Sequence, residues 1–356
     1  MKNKLKDFLR EDISDIKEYE ILEAEGMIKL DAMENPFDID LEFETESISK
    51  NKVNINRYPD GACKNLTKKL RKNHNLKDNF NILVGNGSDE LIQILCMAFF
   101  KKGNTVLCPQ PTFSMYKSIS NLVGLKFKTV PLENDFSLNI NEMLNNIKQT
   151  NPALIFLAYP NNPTANLWDR NNIKKIIENT NGLVVIDEAY SAFSGDSFLN
   201  DIDKYENLAV MKTFSKVGLA GLRLGYLIAE NSLIKEFNKI RLPFNVNTIS
   251  QKIAELALDN KNYLDEQSLE IISFRESLLD QMMRIEEIEV YNSSTNFILF
   301  KIKKGSADDI FNKLLKDKIL IKNMSNTESL EDCLRVTVGT EKENNLFIQS
   351  LKNALN

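Results

Sequence analysis

Between residues 81 and 229 the chain alternates short, β-rich apolar runs with longer amphipathic ones, and this alternation limits the fold more than any other feature. The apolar runs fall at residues 82–84, 105–108, 126–130, 153–158, 183–186, 208–211 and 224–229. Apolar residues at helical spacing occupy 89–100, 112–123, 140–148 and 169–178. Strands that are apolar on nearly every residue must be buried on both faces, so the pattern predicts a largely parallel sheet between two helix layers. Ligands of such sheets bind at the carboxyl ends of the strands.

After Pro243 the rhythm changes to helices over 249–258 and 263–285, then strands over 297–302, 319–322 and 334–338 with helices between. That is a smaller α+β unit. The expected organisation is an N-terminal arm over residues 1–45, a large unit over 46–245 and a small C-terminal unit over 246–356. A length of 356 residues with 42% hydrophobic content is enough for two cores. The turn Arg57-Tyr58-Pro59-Asp60-Gly61 leads into a helical pattern with Cys63, Leu66 and Leu70 on its apolar face. His74, near the polar end of that pattern, reads as a surface histidine.

Charge and cysteine content narrow the function. Lys plus Arg number 45 against 50 Asp plus Glu, a net charge of −5, and the basic residues are dispersed rather than striped, so no nucleic-acid partner is expected. Cys63, Cys96, Cys108 and Cys333 form no CxxC pair and no metal cluster with His74, the single histidine. A reduced, cytoplasmic protein without a metal is expected. The first twenty residues carry charges throughout and no later segment approaches 18 uncharged apolar residues, so neither a signal peptide nor a membrane span is expected.

Four strand ends carry chemistry. Gly85-Asn86-Gly87-Ser88-Asp89-Glu90 runs from a strand into a helix; its free N–H groups and the helix dipole make a phosphate cradle, although ordinary capping uses the same residues. Tyr159-Pro160-Asn161-Asn162-Pro163-Thr164 is a proline-stiffened turn that can hold an Asn side chain above the sheet. Asp187 ends an apolar strand and precedes Glu188-Ala189-Tyr190; a carboxylate there needs a partner, either a pyridinium nitrogen or helix N–H groups. Lys216 follows Thr213-Phe214-Ser215 and precedes Gly218, Gly221 and Arg223. Small hydroxyls, glycines and an arginine suit a bound phosphate, and a desolvated lysine beside cations becomes a carbonyl nucleophile. Amine attack on a carbonyl beside a phosphate points to pyridoxal phosphate.

In this order, these motifs resemble the series of the fold-type I, pyridoxal-phosphate-dependent aminotransferases, which build a large, mostly parallel αβα domain and a smaller α+β domain. Leu30-Asp31-Ala32-Met33-Glu34-Asn35-Pro36, Arg57-Tyr58-Pro59-Asp60 and Leu334-Arg335-Val336-Thr337-Val338-Gly339-Thr340 resemble, more narrowly, the histidinol-phosphate aminotransferases. The resemblance implies that Lys216 is the catalytic lysine joined to the cofactor and that Asp187 pairs with the ring nitrogen. It implies Asn162 and Tyr190 on the ring oxygen and Phe113 stacked on the ring. Thr213, Ser215, Arg223 and the backbone of Ser88 and Asp89 would hold the phosphate. Tyr58 would reach that phosphate from the other subunit of a homodimer. Tyr19, Asn35, Lys322 and Arg335 would bind small-molecule substrates. Lys322 stands where arginine is frequent, keeping the charge without the bidentate fork. Ala165 replaces a usual glycine.

The implied reaction moves an amino group between glutamate and imidazole-acetol phosphate, giving L-histidinol phosphate in histidine biosynthesis. An aminotransferase for aromatic or other amino acids would share every cofactor residue. A phosphoamino-acid decarboxylase or β-lyase would share the fold, and a non-catalytic, cofactor-binding regulatory module is a reading from another class.

Overall fold

The computed structural model describes residues 22–37 and 54–356, together with Phe8 and Arg10. Most of the expected arm, Tyr19 included, lies outside the described residues. The first described strand, β1 (Ile28–Lys29), pairs in parallel with a strand far along the chain.

Seven further strands form one sheet: β2 (Phe80–Gly85), β3 (Thr105–Gln110), β4 (Lys126–Pro131), β5 (Leu154–Ala158), β6 (Leu183–Asp187), β7 (Leu208–Thr213) and β8 (Gly225–Glu230). Their order is β2-β8-β7-β6-β5-β3-β4. Only β8 runs antiparallel to its neighbours, β2 and β7. All seven expected strands are present, with ends moved by one or two residues, and the fold is the expected mostly parallel α/β architecture. Helices Ser88–Ala98, Met115–Val123, Ile140–Thr150 and Arg170–Glu178 make the crossovers from β2 to β6.

Side chains of a strand alternate between faces, and here both faces are buried. Ile155, Leu157, Val184, Ile186 and Val210 enter one apolar core, while Leu154, Phe156, Leu183, Val185 and Ala209 enter another. Each fully buried aliphatic side chain stabilises the fold by about 1.5–3 kcal/mol, which is why such runs are strands in the middle of the molecule.

The C-terminal part builds a second sheet from β9 (Ile288–Val290), β10 (Phe297–Ile302), β12 (Lys322–Asn323) and β13 (Cys333–Thr337), in the order β12-β13-β10-β9, while β11 (Ile319–Leu320) leaves it to pair with β1. The single strand expected over 319–322 is therefore split between two sheets. Helix Lys261–Met283 and the capped helix Glu341–Leu355 contribute Ile271, Leu278, Phe347 and Leu351 to its core. That core also takes in Tyr190 and Phe193 from the larger part, so the two sheets are joined by apolar contact.

One expectation is corrected. His74 does not stand in solvent: its Nε2 lies 2.9 Å from the Tyr226 hydroxyl and its ring leans on the Tyr226 ring. Burial, with Lys212 and Lys261 nearby, holds its pKa down at about 4. The helix Lys64–Asn73 that leads into it packs on β2 and on helix Thr248–Asp259, so its end reaches Tyr226 on β8, the strand beside β2. Among the described residues no helix is long and apolar enough to cross a membrane, and no group of histidine, cysteine and carboxylate side chains could hold a metal ion.

Candidate active site

The excursion from Phe214 to Leu224 joins two neighbouring strands and is closed at its neck, where the Phe214 amide donates to the Leu224 carbonyl at 3.0 Å and Thr213 pairs with Gly225. Lys216 lies inside this closed excursion. Gly225 permits a close approach: a Cβ there would stand 2.8 Å from the Ser88 amide nitrogen. The turn before helix Ser88–Ala98 can therefore lie against β8, with Gly87 at φ +86 turning the chain into the helix. The first N–H groups of that helix and the loop bearing Lys216 thus face one cavity.

The cavity is lined by Ser88, Asp89, Phe113, Asn162, Asp187, Tyr190, Thr213, Ser215, Lys216 and Arg223, with Met33, Ala158 and Ala189. Ten of the eleven residues expected at the catalytic lysine and the cofactor come together here, from stretches more than a hundred residues apart. Tyr58 is not among them; it is 82% exposed and stacked on Phe244 with ring centroids 4.7 Å apart.

Lys216 Nζ donates to the Ala32 carbonyl at 3.1 Å and stands 5.8 Å from the centre of the Tyr190 ring. Burial, then the charges of Arg335 and Arg223, lower its pKa to about 8. Asp187 continues the Leu183–Val185 face of β6. Its Oδ2 accepts from the Tyr116 hydroxyl at 2.6 Å and its Oδ1 from the Ala189 amide at 3.1 Å. Burial pushes its pKa up to about 6, and these two donors work against that rise. Arg223 meets Asp89 at 3.4 Å, and the Thr213 hydroxyl donates to Ser215 Oγ at 3.0 Å.

The turn after β5 divides its work between adjacent asparagines. Asn161, with no exposed surface, bonds the Pro111 carbonyl and the Thr112 and Thr164 hydroxyls, and so braces the turn. Asn162 is left to face the cavity, donating to the Tyr190 hydroxyl at 3.1 Å and accepting from Arg335 Nη1 at 2.6 Å. Ala165, in place of the usual glycine, takes φ +64. Arg335 lies on β13 directly across from Lys322 on β12, so both side chains share one face of the second sheet. Asn35 is elsewhere: its amide donates to Gln267 Oε1 at 3.0 Å.

Sequence reading missed Tyr116, Ala32 and Met33 as contacts of this site, and also the pair Lys212–Glu188, joined at 2.6 Å on the opposite face of the sheet. A tyrosine inside an amphipathic helix reads as core, and nothing local marks its hydroxyl as a donor to a strand end. The strand parity of Lys212, opposite in phase to Thr213, was available.

Residues 25–351 match the family model for aminotransferase class I and II. Histidinol-phosphate aminotransferase 2 of Nitrosococcus oceani is 43% identical over 353 residues, 99% of this chain and 98% of that protein. Histidinol-phosphate aminotransferase of Vesicomyosocius okutanii is 43% identical over 342 residues, 96% of each. Among solved structures, the histidinol-phosphate aminotransferase from Clostridium acetobutylicum superposes with a TM-score of 0.85 at 24% identity, covering 93% of this chain and 99% of that one. The enzyme of the same name from Sinorhizobium meliloti, in complex with pyridoxal-5'-phosphate, gives 0.83 at 24% identity over 92% of this chain and 90% of that one. These two likenesses speak for the fold; the family match and the identities to the two curated relatives establish that the chain belongs to the class I and II aminotransferases, among the histidinol-phosphate aminotransferases.

Proposed function

We propose that the chain is a pyridoxal-phosphate-dependent histidinol-phosphate transaminase: glutamate gives up its amino group to become 2-oxoglutarate, and imidazole-acetol phosphate receives it to become L-histidinol phosphate, a step of histidine biosynthesis. The observation that carries this reading is the convergence of Lys216, Asp187, Tyr190 and Asn162 on one cavity, with Arg335 bonded to Asn162 at its edge.

The residues suit the cofactor. A buried carboxylate held by two donors has room for a third on its cavity side, and the ring nitrogen of pyridoxal phosphate is such a donor. Helix N–H groups at Ser88 and Asp89, the hydroxyls of Thr213 and Ser215, and Arg223 form a phosphate seat. When bound, pyridoxal phosphate supplies an aldehyde that condenses with amines and a ring that accepts the electron pair left on the substrate α-carbon. The protein's part is positional and acid–base. Lys216, with its pKa lowered to about 8, holds a useful fraction of neutral amine near neutral pH, and this amine takes the α-proton and returns it. Asp187 would keep a proton on the ring nitrogen, Asn162 and Tyr190 would orient the ring oxygen, and Phe113 would cover the ring face. Arg335 takes the substrate carboxylate or phosphate as a bidentate donor, with Lys322 adding charge on the same face of the sheet.

The same reading makes the protein a cytoplasmic homodimer in which Tyr58 completes the partner's phosphate seat. Tyr58, Ile55, Leu242 and Phe244 are exposed apolar or aromatic side chains, a patch that a second subunit would cover. The four free, buried cysteines suit a reducing compartment. Residues 46–245 then act as the cofactor-binding domain, 246–356 as the small domain, and 1–45 as the arm.

A spectrophotometric half-reaction tests the proposal. The purified, cofactor-loaded protein is mixed with L-histidinol phosphate, with L-glutamate and with L-phenylalanine, and conversion to the pyridoxamine form is followed. Fast conversion by the first two and slow conversion by the third is the expected result. Conversion by phenylalanine alone would make the chain an aromatic aminotransferase, and absence of any cofactor band would remove the role given to Lys216.

A further inference from the structure

Tyr116 takes no part in the reaction as described, yet it touches two of the groups assigned to the cofactor ring. It lies in the first turn of helix Met115–Val123, has no exposed surface, and its ring is stacked on Phe156 at 4.7 Å with an interplanar angle of 5°. Phe113, which lines the cavity, meets the same ring edge-on at 5.5 Å. Phe156 and Ala158 point to one face of β5, Val185 and Asp187 to the same face of β6, and Ala158 is paired with Asp187. The Tyr116 ring, lying along Phe156, therefore aims its hydroxyl at the end of the next strand, where it donates to Asp187 Oδ2 at 2.6 Å.

We propose that Tyr116 is a positioning residue for Asp187: its phenol, held in place by Phe156, donates to the carboxylate and keeps it ionised, so that the proton shared with the bound cofactor stays on the ring nitrogen. The ring-nitrogen part of this inference rests on the pyridoxal phosphate reading; the effect on Asp187 itself does not.

The charged and titratable groups around Asp187 leave this role to the phenol. Asp89, from the helix after β2, and Glu188, the next residue along, both disfavour a second negative charge. Glu188 is answered on the opposite face by Lys212 at 2.6 Å. Tyr190 and Cys108, both buried, are neutral neighbours, while Lys216 lines the same cavity and Arg335 is bonded to Asn162. Among the described residues, only the Tyr116 hydroxyl and the Ala189 amide donate to the carboxylate oxygens. The amide cannot be altered by a side chain, so Tyr116 is the one adjustable donor. Burial raises its own pKa well above the ordinary phenol value, so it remains a donor at any pH at which the enzyme works. A proton arriving on Oδ2 would have to displace this hydrogen bond, and a charge-assisted bond out of water is among the stronger ones.

The test compares the wild type with Tyr116→Phe, which keeps the ring and the stack on Phe156. In the cofactor-free protein, carrying carboxyl-13C-labelled aspartate assigned with Asp187→Asn, the Asp187 carboxyl is expected to titrate about one pH unit higher in the variant. In the holoenzyme loaded with ring-15N pyridoxal phosphate, the nitrogen resonance is expected to move toward the neutral-pyridine position. A fluorinated tyrosine placed at position 116, a more acidic donor, should move both signals the other way. Unchanged Asp187 titration in a folded Tyr116→Phe protein would overturn the proposal and leave Tyr116 as packing alone. Should that variant fail to fold, the fluorinated residue decides, and no movement of the Asp187 signal overturns it equally. A wild type that binds no pyridoxal phosphate would sink the functional reading while leaving the Asp187 titration to judge Tyr116.

Discussion

Arg335 Nη1 lies 2.6 Å from Asn162 Oδ1, so a side chain of the second sheet is tied to the turn that follows β5 of the first. Its Nη2 donates to the Asp31 carbonyl at 3.0 Å and its guanidinium lies 5.2 Å from the centre of the Phe297 ring. A group pinned on three sides would meet the anion of the proposed substrate already oriented. Little side-chain entropy is left to lose on binding.

Replacing Arg335 by Gln should therefore lower kcat/KM for the amino donor by about 100-fold, chiefly through KM, with the cofactor still bound. Arg335→Lys should recover part of the loss because charge returns without the fork. Steady-state kinetics read both. An unaltered KM in Arg335→Gln would remove this residue from substrate binding.

Lys216 gives a stability effect with a definite pH window. Its folded pKa, about 8, is below the ordinary value of 10.5, so between those values the unfolded chain binds more protons and the folded state gains stability as pH rises. Below pH 8 the buried cation is a full cost. Cofactor-free Lys216→Met should therefore be more stable than the wild type at pH 7, by about 2 kcal/mol after allowing for partial exposure and the lost bond to Ala32. The advantage should fade toward pH 10.5. Urea denaturation across this range measures it, and a difference independent of pH would contradict the assignment.

His74 should set part of the acid limb. With a folded pKa of about 4 against an ordinary 6.5, it stays neutral in the fold while the unfolded chain takes up a proton, so stability falls as pH drops through that interval. His74→Phe keeps the ring against Tyr226 but cannot titrate. Its stability should depend less on pH between 6.5 and 4 by about 2 kcal/mol, at a cost of about 1 kcal/mol near pH 8 for the hydrogen bond to Tyr226. Parallel curves for the two proteins would show that His74 does not titrate differently on folding.

Tyr58 offers a subunit test. Tyr58→Ala should weaken cofactor binding and Lys216→Ala should abolish turnover. Mixed and allowed to exchange subunits, the two variants should regain about a quarter of wild-type activity, because half of the dimers then carry one intact site. No recovery under exchange would place Tyr58 outside the shared site.

Legibility in the sequence followed distance along the chain. Apolar runs made β2 to β8 readable because most of these runs are buried, and the motif residues that line the cavity could be placed at strand ends because each motif is contiguous with its strand. What failed depended on partners far away. β1 exists only through pairing with β11, nearly three hundred residues later, and two residues of sequence carry no period. Ile321 is buried between β11 and β12, so the run 319–322 looked like one strand although it serves two sheets. His74 was misread because Tyr226, which buries it, is 152 residues further on. Tyr116 is core, stacked on Phe156, and its hydroxyl meets Asp187 from 71 residues away, a distance that no local pattern spans.

The placement of Arg335 on a sheet of its own has a consequence for how such a protein can change. Every group assigned to the cofactor, Tyr58 aside, hangs from the seven-stranded sheet and its crossovers, whereas Arg335 and Lys322 hang from neighbouring strands that lack those groups. Under the proposed roles, selectivity would sit on β12 and β13 and the reacting centre on the larger sheet, with one joint between them: Arg335 is bonded to Asn162 and its charge bears on Lys216. A change at Lys322 can leave the reacting centre alone, whereas a change at Arg335 reaches it through that joint.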